Sequence, residues 1–183
     1  MTTKFFYSSI IALLILSSCN EKDASAVTTT IDVSNQWTIN TSGVAITPLF
    51  DGQWLTKTFT SQELSLFNSL DTANLNGTTT PLSVIDAPPG YNATFPNPFM
   101  TTNALALRFN NGFSGQIVLK AVIVDSTMTS YFKVAPRLNV QNAFTALQFN
   151  PTIPIGRFRI YYTLSSQANP HFFKSWGNIQ KTQ

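Results

Sequence analysis

Residues 156–164 read GRFRIYYTL. Phe158, Ile160, Tyr162 and Leu164 take alternate positions, with Arg157, Arg159, Tyr161 and Thr163 between them. Successive side chains of a strand point to opposite faces, so this period of two predicts a strand with one apolar face and one mixed face. Residues 172–180 (FFKSWGNIQ) repeat the pattern, with Phe173 and Ile179 on one side and Phe172, Lys174 and Trp176 on the other. The polar stretch Ser165–His171, carrying Asn169-Pro170, joins the two as a hairpin.

The same period extends upstream. It places Leu105, Leu107 and Phe109 on one face of 104–109, and Leu147 and Phe149 on one face of 144–149. In 130–134 Phe132 and Val134 alternate with Tyr131 and Lys133. Residues 116–124 are apolar on both faces: Ile117, Leu119 and Ile123 on one, Val118, Val122 and Val124 on the other. That is the mark of a central strand covered on both sides. Asn110-Asn111-Gly112, Asn150-Pro151 and Pro154 with Gly156 punctuate the runs. Short strands at this spacing predict a mainly β chain folded as a sandwich.

Residues 31–91 are expected to form a β-rich N-terminal part, with strands at Trp37–Ile39, Val44–Leu49, Gln53–Phe59 and Leu82–Asp86. Thr60-Ser61-Gln62-Glu63 is a capping-box pattern, in which Thr caps the Glu amide and Glu reaches back. Leu64, Phe67 and Leu70 follow at helical spacing, so one short helix is predicted over about 61–71. Asn74–Pro81 and Ala87–Asn92 read as loops.

Composition narrows the function. Only 10% of the 183 residues are charged, whereas a typical chain has about 25%. The eleven basic residues are spread thinly, which excludes a nucleic-acid binder that tracks phosphates by charge. One Cys and one His exclude an all-protein Cys/His metal cage, and no cofactor is expected. Charge is uneven: residues 20–125 hold all eight acids and four bases, while 126–183 hold six bases and no acid. Asp32, Asp51, Glu63, Asp71 and Asp86 stand singly, and His171 lies alone in a polar loop, so no catalytic pair is indicated and the chain is not expected to be an enzyme.

The N-terminus carries an address. Lys4 precedes Phe5–Leu16, a charge-free and mostly apolar run of twelve residues. A bilayer span needs about 20 apolar residues, so this run has the length of a secretory signal core rather than of a membrane helix. Leu16-Ser17-Ser18-Cys19 follows. This resembles the lipobox of bacterial lipoproteins, which implies cleavage before Cys19 and acylation of its thiol. Residues 1–18 are then the signal peptide and 19–30 a lipidated, flexible tether. Two or more acyl chains hold a protein stably on a membrane. Glu21-Lys22-Asp23 resembles the charged export signals of surface lipoproteins in the Bacteroidota. Asn20 after the cysteine is unlike inner-membrane retention. The expected location is the outer membrane and its outer surface.

Phe95-Pro96-Asn97-Pro98-Phe99 lies just before a strand pair, Val124-Asp125 ends a strand, and Pro154-Ile155-Gly156 opens another. A last strand carries Lys174 through Lys181. In this order the four features resemble the C-terminal sorting domain of the type IX secretion system, an immunoglobulin-like sandwich, over residues 92–183. Ser126-Thr127-Met128 stands where that family commonly has a Gly-Arg turn. The resemblance implies an immunoglobulin-like β-sandwich and a Bacteroidota origin.

The candidate ligand face is the outer side of the last hairpin: Tyr161, Arg159, Phe172, Lys174 and Trp176. Aromatic rings beside hydrogen-bonding cations suit sugars, whose apolar ring faces stack while the hydroxyls are bonded. That use requires Tyr161 and Trp176 to be exposed; the competing expectation is that 31–90 packs over the face. The leading functional expectation is a non-catalytic, lipid-anchored cell-envelope protein that makes protein contacts. The alternatives are a glycan-binding surface lipoprotein of a polysaccharide-uptake system and a sorting-like domain.

Overall fold

The computed structural model describes residues 29–46, 52–68, 70, 83–86, 93–110, 115–140, 144–170 and 173–183. The signal segment 1–18, Cys19, nearly all of the tether, the two expected N-terminal loops, His171 and Phe172 lie outside the described residues.

Ten strands and one helix are described: α1 (Ser61–Ser65), β1 (Ser83–Asp86), β2 (Ala93–Phe95), β3 (Phe99–Met100), β4 (Leu105–Asn110), β5 (Gly115–Val124), β6 (Ser130–Val134), β7 (Arg137–Val140), β8 (Phe144–Phe149), β9 (Gly156–Ser166) and β10 (Phe173–Thr182). One sheet has the order β1-β8-β4-β2. The other runs β3-β10-β9-β5-β6, with β7 also on β5. β6 and β7 follow one edge of β5 in two pieces, and Pro136 lies between them. Proline donates no ladder bond, so it belongs on an edge.

The connections are those of an immunoglobulin-like sandwich. β4, β5, β8 and β9 alternate between the sheets, and β9–β10 is the expected hairpin. The chain changes sheet between β2 and β3, across Pro96-Asn97-Pro98, and β3 then pairs with β10 in parallel. β1 comes from the N-terminal part yet completes the smaller sheet beside β8.

The core lies between the sheets. Leu105, Leu107, Leu147 and Phe149 face Ile117, Leu119, Ile123, Phe158, Ile160, Tyr162, Leu164 and Ile179 in one buried cluster. These are the alternating positions read from the sequence, and each fully buried aliphatic or Phe side chain contributes about 1.5–3 kcal/mol. β5 has neighbours on both sides and is buried on both faces from Ala121 to Val124.

The described residues of 31–70 form a strap rather than a set of ladders. Of the expected strands, Trp37–Ile39 and the described start of Val44–Leu49 contribute isolated bridges, Ile39 to Ala45 and Ile39 to Asn97. Gln53–Phe59 runs along the free edge of β10: the Trp54 amide donates to the Trp176 carbonyl at 2.7 Å and the Lys57 amide to the Lys174 carbonyl at 2.8 Å. An open edge is a template for aggregation, and the strap covers this one. The segment fails as a regular strand because its backbone turns at Trp54, which has a φ of 64°. The helix is shorter than expected and ends at Ser65, although Phe67 is buried and the capping box forms as read.

Candidate functional site

The outer face of the larger sheet is built row by row by the ladder. Trp176 of β10 stands opposite Tyr161 of β9, which stands opposite Val122 of β5. One row toward the end of the hairpin, Asn178 stands opposite Arg159, which stands opposite Val124. Four of the five sequence-predicted face residues are therefore brought onto one surface: Tyr161, Arg159, Lys174 and Trp176. The fifth, Phe172, lies outside the described residues.

That surface is not open. Tyr161 is 0% exposed, and Trp176 is packed against a second buried cluster of Phe59, Phe67, Val122, Val124 and Tyr161. The Phe59 ring meets Tyr161 edge-on at 5.5 Å and stacks on Phe67 at 6.0 Å. The aromatic sugar platform is thus corrected: Tyr161 belongs to a second core beneath the strap, and Trp176 is half-buried against it. The reason is apolar area. Val122, Val124, Tyr161 and Trp176 together make a patch too large to leave in water, and the strap supplies the apolar side chains that cover it.

Arg159 is held as part of that closure. It is 8% exposed. Its Nε donates to Asn178 Oδ1 at 2.8 Å, and a terminal nitrogen donates to the Asp32 carbonyl. Its guanidinium lies 3.7 Å from the centroid of the Trp176 ring. Weak hydration of the planar cation suits it to such a stacked, buried position. Asn178 gathers the strap around it: its side-chain amide donates to the carbonyls of Asn35 (2.7 Å) and Asp32 (3.2 Å), and its backbone amide donates to Gln53 Oε1 at 2.9 Å. Asn97, 0% exposed, donates to the Asn178 carbonyl at 3.0 Å and accepts from the Gln180 amide at 3.0 Å. Sequence reading missed Gln53, Asn97 and Asn178, because single buried amides leave no periodic signal.

The electrostatics follow from the burial. Burial pushes the Tyr161 hydroxyl up to about 12, against a smaller opposing pull from Arg159. Burial raises Tyr162 further, partly offset by the Ser175 hydroxyl across the ladder. The carboxylates with described side chains serve turns. The hydroxyl and amide of Ser34 hold Asp32 below its usual value. At Asp125 burial acts upward, but the Thr127 hydroxyl and amide and the Thr129 amide overcome it, and the net shift is downward. Glu63 accepts from the Thr60 amide in the capping box. No group of three or more His, Cys, Asp or Glu residues able to hold a metal is present among the described residues.

An open cleft of about 390 Å³ lies elsewhere, on the smaller sheet, with Phe95, Pro96, Ala104 and Ala106 as its apolar lining and Thr41, Thr102, Asn103 and Gln148 as its polar lining. Beside it, Arg108 is 2% exposed and donates to the Gly43 carbonyl at 3.1 Å.

No family model, curated protein or solved structure matches this chain.

Proposed function

We propose that the chain is a non-catalytic, lipid-anchored protein of the bacterial cell envelope, held at the outer membrane through an acylated Cys19, whose sandwich makes protein contacts. The observation that carries this reading is Leu16-Ser17-Ser18-Cys19 directly after a charge-free apolar run, with the chain's one thiol at the acylation position. The fold is compatible with such a tether. The first long-range backbone bond of the strap is Ile31 to the Ser126 carbonyl. The dozen residues between Cys19 and Ile31 reach at most about 40 Å when fully extended. The non-catalytic part is supported by Asp32, Glu63 and Asp125, whose oxygens are committed to holding turns and a cap.

A sorting-like domain is the second reading. It is supported by where the motif pieces fall: Pro96-Asn97-Pro98 at the change of sheet, Val124 at the end of β5, Gly156 at the start of β9, and the lysines on β10.

Fractionation separates the two. On the first reading Cys19→Ala moves the protein from the membrane to the soluble fraction. Unchanged fractionation refutes the anchor. Delivery to the cell surface that survives Cys19→Ala and is lost on deleting β10 would favour the sorting reading.

A further inference from the structure

The strands of the six-stranded sheet contain no carboxylate and seven of the chain's eleven cations. Two of these are internal: Arg159, described above, and Lys181, whose Nζ donates to the Ile153 carbonyl at 2.9 Å. The others stand on the outer face. Next to the strap-covered rings, the ladder puts Lys174 of β10, Thr163 of β9 and Lys120 of β5 in one row. Ser165, Val118 and Arg137 form the next row. Lys57 joins them from the strap, its amide bonded to the Lys174 carbonyl and its ammonium 5.5 Å from the Trp176 ring. The three lysines, Thr163 and Ser165 are half-buried, and Arg137 is exposed.

Strands lie about 4.8 Å apart, so the backbones of Lys174 and Lys120 are about 10 Å apart, with a hydroxyl between them. Lys174 and Lys120 each face Thr163 rather than one another, so their mutual repulsion is weak and both ammonium groups are left for a ligand. A chain that is only 10% charged has gathered them where the sheet offers no acid. No strand of this sheet supplies a matching acid, and Glu63 of the strap, which lies near Tyr161, is held in its capping box, so the face suits an anionic ligand.

We propose that this surface binds an acidic polysaccharide, with uronate carboxylates on Lys57, Lys120, Lys174 and Arg137 and sugar hydroxyls on Thr163 and Ser165. A spacing of about 10 Å with hydroxyls between the cations fits a chain that alternates charge with neutral hydroxyls. A lipid surface fits less well. It calls for an apolar rim around the cations; β5, β9 and β10 expose no large hydrophobic among the described residues, and beside Lys57 the strap exposes the single side chain of Leu55. A single-stranded nucleic acid calls for stacking platforms, and on this face Tyr161 is buried while the half-buried Trp176 ring is already met by Arg159 and Lys57. The proposal replaces the aromatic platform by the cationic row and does not depend on the lipid anchor.

The test uses the chain from residue 19 onward with Cys19→Ala, so a failure of the anchor reading leaves it untouched. The probes are polygalacturonate, neutral dextran and phosphatidylglycerol vesicles. Binding to polygalacturonate that weakens as salt is raised, with none to dextran, is expected. The double variant K120Q/K174Q is expected to bind about tenfold more weakly, the sum of two partly exposed charge contacts, and to melt at the same or a higher temperature because only weak repulsion is removed. R157Q, about 20 Å further along β9, is expected to bind as the parent does. If K120Q/K174Q does not fold, K57Q/R137Q tests the same row from its rim. No binding to polygalacturonate, equal binding by the row variants, or tighter binding to the vesicles would overturn the proposal.

Discussion

At the scale of single residues, closure of the sandwich depends on positions that look unremarkable in the sequence. Gly177 is one. A Cβ there would lie 2.0 Å from the Trp54 ring, so the indole packs on β10 only because that side chain is missing. Trp54 is 2% exposed and also meets Trp37 and Tyr162, each at 6.4 Å between ring centroids. Gly177→Ala therefore expels or displaces a core indole. The expected cost is about 1–3 kcal/mol from overpacking, read as a lower midpoint in urea denaturation; an unchanged midpoint would mean that Trp54 does not sit there. Tyr161 supplies a pH signature. Its hydroxyl is raised by burial from 10.0 to about 12, so the folded state favours the neutral form more than the unfolded chain does. The stabilisation is whole below pH 10 and is lost as the pH rises through 12. The denaturation midpoint is expected to fall over that window, and less steeply in Tyr161→Phe.

At the scale of elements, the sandwich strands were legible because one face of each is buried and the period of two records it. β4, β5, β8, β9 and β10 lie where the alternation placed them, and β5 is central because both its faces are apolar. The helix start was legible for a different reason. Its cap is a local device of four residues, and both of its bonds form. The strap was not legible. Its hydrophobic residues, Ile31, Trp37, Trp54, Phe59 and Phe67, follow no period because they reach two separate clusters from an irregular backbone. The predicted ligand face failed for the same reason. The sequence showed correctly that Tyr161 and Trp176 share a face, but what covers that face lies a hundred residues upstream. Phe59→Ala isolates this contact. Removing the ring that meets both Tyr161 and Phe67 is expected to cost about 3–5 kcal/mol. It should also expose Trp176 and shift its fluorescence to longer wavelength. A near-neutral effect would mean that the strap does not seal the face.

At the scale of the whole molecule, the two halves of the chain are one structure. Trp37, Ile39 and Trp54 of the strap belong to the same buried cluster as the sandwich strands, and β1 completes the smaller sheet. The charge asymmetry also takes a shape at this scale. The acid-free second half supplies most of the six-stranded sheet, whose outer face is left basic wherever the strap does not cover it. Trp54, Tyr161 and Tyr162 are buried, and Asp32, Glu63 and Asp125 hold turns and a cap; on the proposed reading the distinctive chemistry is the Cys19 thiol, placed to take lipid. The intact mass of the protein recovered from the membrane fraction tests that most directly. The account predicts a chain that begins at Cys19 and carries the added mass of acyl chains on that residue. An unmodified Cys19, or a soluble chain still carrying residues 1–18, would contradict it.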